Sequence, residues 1–147
     1  LKKMKSLEVR YSITVPVYVL MPNHYHLIAL QNTGGNLSNM MGALATFAAK
    51  RYNMKYNHIG HLFQGPFRYK PVSEDTVWDV ACYVHLNPVR AELVREPTEW
   101  RFSNFSDYVE GFLHEGKSQD EGNLLRWRGY AAFVTEVLKN ERLEKEF

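Results

Sequence analysis

The sequence predicts an α+β chain on three observations. Two runs rich in β-branched and aromatic residues flank a proline-asparagine turn within residues 11–30. Apolar residues recur at helical spacing in segments 36–57 and 74–87. A third amphipathic segment occupies 124–144. At 147 residues and 17.2 kDa, with 45% hydrophobic and 14% aromatic residues, the chain can bury one real core and is most simply one domain. Within it the sequence divides into a body over 1–110, a glycine-containing polar linker over 111–123 and a C-terminal helical segment over 124–147.

The first run, YSITVPVYVL (11–20), has strand composition, and Met21-Pro22-Asn23 supplies turn chemistry before a second strand from His24 to Leu30, which together read as an antiparallel hairpin. Pro16 makes the first strand an edge strand, or delays its hydrogen-bonded part until after the proline. In the second strand a period of two puts His24, His26, Ile28 and Leu30 on one face, so two imidazoles stand together at the end of an apolar row. Thr33-Gly34-Gly35 breaks the strand, and Asn36 or Ser38 caps a helix running to about Asn57, with Leu37, Met40, Met41, Leu44, Phe47 and Ala48 as its buried stripe. Residues 58–66 form an irregular loop, and FRYKPV (67–72) is a short strand candidate. Ser73 then caps a helix with Glu74 and Asp75 in its first turn, ending at Asn87 because Pro88 disfavours helical geometry in the residue before it. Val77, Val80, Ala81 and Val84 are its core stripe, and Tyr83 and Asn87, four apart, share a face beside it. The final helix carries Trp127, Tyr130, Phe133, Val134, Val137 and Leu138 and docks on the body.

The formal charge of +2 and pI near 8.6 do not by themselves demand a polyanionic partner. Their distribution is more informative. Between residues 50 and 70 lie Lys50, Arg51, Lys55, Arg68 and Lys70 with no acidic residue, interleaved with Tyr52, Tyr56, Phe63, Phe67 and Tyr69. Basic groups neutralise phosphates and aromatic faces stack on unpaired bases, so the mixture suits single-stranded nucleic acid; a solvated helix face has the same composition. Cys82 is the sole cysteine, which excludes an intrachain disulfide and a multi-cysteine zinc site and fits a reducing cytoplasm. No secretory leader pattern and no membrane-length apolar run is present.

Two histidines at i and i+2 on a strand can share one divalent ion through two ring nitrogens, or can be hydrogen-bonded imidazoles at a strand end. An added oxygen ligand would leave such a site open for Lewis-acid chemistry on a phosphate. The helix of 74–87 carries an amide oxygen in Asn87 and, one turn earlier, a phenol in Tyr83, a residue type that forms covalent intermediates when aimed at an electrophile. Cys82, facing away from that pair, is structural.

Together MPNHYHLI (21–28), GHLFQGPFRYKPV (60–72) and YVHLNPVRAELV (83–94) resemble the HUH single-tyrosine transposases, in particular their REP-associated tyrosine transposase branch, and WRFSNFSDY (100–108) is similar to the aromatic-serine segment that follows in that family. The resemblance covers about residues 15–110 and implies a ferredoxin-like antiparallel sheet backed by helices, acting on single-stranded or hairpin DNA. It makes His24 and His26 the ligands of a divalent cation, Mg2+ or Mn2+, with Tyr25 as the bulky residue between them, Asn87 the third ligand and Tyr83 the nucleophile that leaves a 5′-phosphotyrosine link and a free 3′-hydroxyl. DNA contacts fall to Lys50, Arg51, Lys55, Arg68, Lys70, Arg90 and Arg95.

The chain departs from the family pattern in three places. Pro66 and Cys82 replace commonly basic residues, and the strand and helix usual ahead of the hairpin are missing, so that segment 1–13 or another chain must complete the fold, or the copy is truncated. Two readings follow: a DNA nickase and strand-transferase, favoured by the retained site residues, and a truncated or domesticated hairpin-DNA-binding protein that cuts nothing, favoured by the missing elements. A water-using metal hydrolase leaves the YVHLN block unexplained. Whether the molecule is a monomer or a homodimer is open in the sequence.

Overall fold

The structure, a computed structural model, describes residues 1–113 and 129–145. In chain order these form α1 (Lys2–Tyr11), β1 (Ile13–Leu20), β2 (Tyr25–Gln31), α2 (Leu37–Tyr56), α3 (Val77–Arg90), a 3-10 turn (Pro97–Glu99), α4 (Phe105–Leu113) and α5 (Tyr130–Lys145). The expected α+β class holds: β1 and β2 pair as an antiparallel hairpin and helices follow, an arrangement consistent with a small ferredoxin-like layout, with two strands among the described residues. Pro16 lies inside β1, on an edge strand as such a residue requires. The chain groups into two compact units, one of Leu1–Pro16 with Ala29–Pro71, the other of Val17–Ile28 with the described residues from Val72 on. Among the described residues, no helix is long and apolar enough to cross a membrane.

In the first unit α1 buries Met4 and Leu7 and packs on α2. Of the ways left open for completing the fold, the segment 1–13 thus supplies a short helix ahead of the hairpin, and among the described residues no strand precedes β1. α1 ends where Ser12 turns left-handed (φ 52°), and Glu8, buried beside it, accepts from Val15 N–H (2.6 Å) and pairs with Lys5 Nζ (3.1 Å). Asn36 caps α2 by accepting from Asn39 N–H (2.9 Å). Of the expected α2 stripe only Met40 and Met41 are fully buried, while Phe47 is 37% exposed. Length accounts for this: α1 has 10 residues and α2 has 20, so one rod covers about half of the other. Residues 67–72 join no ladder and are not a strand; Pro71 has no N–H to give one.

The second unit is built around Val17 and Val19 of β1 and Ile28 of β2, against which pack Val77, Ala81, Cys82, Val84 and Leu86 of α3, Phe105 of α4, and Tyr130, Val134 and Leu138 of α5. The final helix thus docks as its apolar spacing predicts; Trp127 and most of the linker lie outside the described residues, and residues 111–113 belong to α4. Beyond β1 the chain returns: Leu20 N–H donates to Phe102 O (2.9 Å), Trp100 Nε1–H donates to Leu20 O (2.9 Å), and Val19 bridges Ser103.

Two boundaries of α3 differ from expectation. Residues 74–76 form a turn, so Thr76 rather than Ser73 precedes the first helical residue. The helix also continues through Pro88 to Arg90. A proline there removes the N–H that would reach Val84 O, and the Asn87 side chain supplies donors in the same place: Nδ2 donates to Tyr83 O (2.7 Å) and Val84 O (3.4 Å). The Asn87 side chain thus gives Val84 O a donor in place of the N–H that Pro88 lacks.

Candidate active site

The turn that joins the strands also delivers the histidines. Met21 N–H donates to His24 O (2.9 Å), closing Pro22-Asn23, and His24 lies just before β2 with His26 one residue inside it. Period-two geometry brings the two imidazoles together, ring centroids 5.0 Å apart and planes at 89°. His24 Nδ1–H donates to Asn23 Oδ1 (2.6 Å), which favours the tautomer protonated on Nδ1 and turns Nε2 away from that bond. Burial, and then the neighbouring His24, hold the pKa of His26 below the ordinary histidine value, so this ring favours its neutral form.

Tyr83 reaches this pair from α3. Its ring centroid is 5.8 Å from that of His26, at 79°, and 49% of the residue is exposed, so its phenol is accessible. Burial raises the phenol of Tyr25, between the histidines, above its ordinary value, opposite to what an attacking oxygen needs. Asn87 is tied to Tyr83 through the main-chain oxygen already described, which occupies Nδ2 and leaves Oδ1 uncommitted among the described residues. Imidazole nitrogens and an amide oxygen are donor types that suit a divalent ion with open positions; the ring contacts bring His24, His26 and Tyr83 together, and Asn87 lies one turn beyond Tyr83 on α3. Among the described residues no group of three or more His, Cys, Asp or Glu stands ready for a closed site.

The far side of α3 is structural. His85 is fully buried; its Nε2–H donates to Asn104 Oδ1 (3.1 Å) and its Nδ1 accepts from Tyr130 OH (2.9 Å), while Asn104 Oδ1 also accepts from Tyr18 N–H (2.9 Å). Burial, opposed by the Asn104 hydrogen bond, pushes the His85 pKa down to about 4, so the ring is a neutral strut. Cys82 is 3% exposed in the core and its thiol is pushed up to about 11, chiefly by burial, in keeping with the structural role expected of it.

The expected DNA contacts divide between the units. Lys50, Arg51 and Lys55 line the second half of α2 and are exposed, as are Arg68 and Lys70 in the irregular stretch that follows it. Aromatic rings stand among them: Tyr52 lies 4.7 Å from Tyr56 and 5.7 Å from His58, centroid to centroid, and Lys55 Nζ lies 5.0 Å from the Tyr56 centroid. In the second unit Arg90 and Arg95 are exposed, and Arg90 pairs with Glu141 of α5. Sequence reasoning missed Asn23 and Glu141. Asn23 adjoins His24, and its carboxamide was the available signal; Glu141 is 51 residues from Arg90 and carries none.

Comparison with known proteins gives the class. Residues 1–87 match the family model described as "Transposase IS200 like", a span that ends on Asn87 and holds both histidines and Tyr83. The chain belongs to the IS200-like transposases, a family whose members act on DNA. No curated protein and no solved structure matches it.

Proposed function

We propose that the chain is a nickase and strand-transferase for single-stranded hairpin DNA, of the REP-associated branch, with Tyr83 as nucleophile and His24, His26 and Asn87 holding Mg2+ or Mn2+. The observation that carries this reading is the meeting of a solvent-accessible tyrosine with a histidine pair on the approach of α3 to β2. The branch assignment rests on the YVHLNPVRAELV block. When bound, the ion supplies Lewis-acid polarisation of the scissile phosphate. The protein does the rest. Tyr83 Oη forms a bond to phosphorus as the bond from phosphorus to the 3′ oxygen breaks; the phenolic proton leaves to water, and the departing oxygen takes up a proton to become a 3′-hydroxyl. Because one phosphoester replaces another, the 3′-hydroxyl of the same or another strand can reverse the step with no external energy source. Asn23 holds His24 in the right tautomer, and exposed cations with adjacent aromatic rings, Lys50, Arg51, Lys55, Tyr52 and Tyr56, are suited to a single strand's backbone and bases.

The test is direct. Incubated with hairpin oligonucleotides and Mg2+, the protein forms a covalent adduct stable on a denaturing gel, and Tyr83→Phe abolishes it. Binding with no adduct from the unmutated protein establishes the non-cutting alternative instead. An adduct that survives Tyr83→Phe places the nucleophile elsewhere.

A further inference from the structure

Arg90 lies seven residues beyond Tyr83 on α3, about two helical turns, and its guanidinium carbon sits 5.4 Å from the centre of the Tyr83 ring. Glu141 of α5 grips the guanidinium by one edge, Oε2 accepting from Nε (3.5 Å) and Oε1 from Nη2. The side chains are 36% and 31% exposed. An ion pair so wet contributes little to folding, so stability is a weak account of it. Its orientation is the more informative property. Held by the Nε edge, the guanidinium keeps its Nη1 donors uncommitted among the described residues, and the cation is parked over the ring of Tyr83.

We propose that Arg90 binds the non-bridging oxygens of the phosphate at Tyr83, during attack and in the phosphotyrosine, and that Glu141 is the positioning residue that aims it. This rests on the function proposed above and adds to it a phosphate clamp carried partly by the C-terminal helix. A planar fork matches phosphate geometry, and a donor fixed before reaction stabilises charge that develops in the transition state without reorganising. Arg90 transfers no proton; it stays cationic throughout while the phosphorus exchanges its 3′ oxygen for the phenol oxygen.

The experiment uses the full chain, a hairpin oligonucleotide and Mg2+, and follows adduct formation with time. Arg90→Gln lowers the rate at saturating oligonucleotide by about a hundredfold. Arg90→Lys restores part of it, and Glu141→Gln produces a smaller loss that Glu141→Asp partly reverses; in all four the main effect is on kcat, not KM. A neutral methylphosphonate at the scissile position slows the unmutated protein, and that penalty shrinks in Arg90→Gln, because the arginine has already lost its partner. Thermal melting of each variant stays near that of the parent, as an exposed pair dictates, and Arg90→Lys and the methylphosphonate comparison read the clamp even if Arg90→Gln melts early. An adduct that forms normally and is unaffected by Arg90→Gln and Arg90→Lys overturns the clamp alone. The absence of any adduct from the unmutated protein overturns the underlying reading and the clamp with it.

Discussion

His26 and Tyr83 meet nearly edge to face, ring centroids 5.8 Å apart with planes at 79°. One comes from a strand and the other from a helix, and in the proposed reaction the scissile phosphate sits between them. Tyr83→Phe keeps the ring and hence the contact, removing an oxygen from a residue that is 49% exposed. It is expected to leave stability within about 0.5 kcal/mol of the parent by urea denaturation, the usual range for a surface change. A variant that binds hairpin DNA and melts like the parent but forms no adduct isolates the chemistry from the fold.

Asn23 tests the histidine pair without touching it. Its Oδ1 accepts from His24 Nδ1 at 2.6 Å, so Asn23→Ala frees the ring to take the other tautomer. Partners of this kind affect cation affinity or activity by about ten- to a hundredfold when removed. The expected result is a Mn2+ titration of adduct formation shifted to higher concentration by that factor, with unchanged melting. A titration that superimposes on the parent's shows that the hydrogen bond does not tune the site.

Asn87 has a structural role and a proposed ligating one. Its Nδ2 donates to Tyr83 O and Val84 O, completing a helical turn that Pro88 leaves a donor short, and its Oδ1 is the proposed ligand. Asn87→Asp keeps an oxygen but loses the donor. It is expected to cost about 0.5–1.5 kcal/mol of stability while retaining cation-dependent cutting. Asn87→Leu loses both. Urea midpoints and adduct rates measured side by side separate the structural from the ligating role.

What the sequence made legible, and what it did not, follows from the range of the interactions. The pairing of His24 with His26 is a consequence of strand period, and the shared face of Tyr83 and Asn87 of helix period, so both were readable from spacing. The end of α3 was misplaced because the rule for residues before proline describes backbone preference; it takes no account of a side chain at 87 that supplies the missing donor. The α2 stripe was overestimated because periodicity marks the apolar side without saying how far a 10-residue neighbour extends along a 20-residue helix. Glu141 on Arg90 and Tyr130 on His85 join residues 51 and 45 positions apart, and no local pattern encodes such pairs.

Cys82 gives a prediction about pH. Its thiol is pushed up to about 11 from an ordinary 9, chiefly by burial, so the folded state favours the neutral form. The sign is fixed: this contribution to stability is fully present below pH 9 and is lost as pH rises through about 11, because the unfolded chain releases the proton more readily. Cys82→Ala should therefore flatten the alkaline fall in urea midpoint between those values. At pH 8 the native thiol should react with a disulfide reagent far more slowly than in denaturant; equal rates would show that residue 82 is reached by solvent in the native state.

The exposed strip on α2 makes a different kind of prediction, about salt. Lys50, Arg51 and Lys55 stand in solvent, and each phosphate a cation neutralises on a single strand changes the slope of log affinity against log salt by about 0.7. Substituting Lys50 and Lys55 by Gln should lower that slope by about 1.4 if both contact the backbone, with little effect on which hairpin is preferred. Tyr52 and Tyr56, 41% and 58% exposed, carry the complementary term: a base stacked on either contributes about 1–3 kcal/mol, and that term is nearly independent of salt. Tyr56→Ala should thus weaken binding to single-stranded oligonucleotides while leaving the salt slope where it was, and should weaken binding to a fully paired duplex much less. Fluorescence anisotropy over a range of NaCl concentrations measures both. A slope unchanged in the lysine double variant would show that this face is merely solvated.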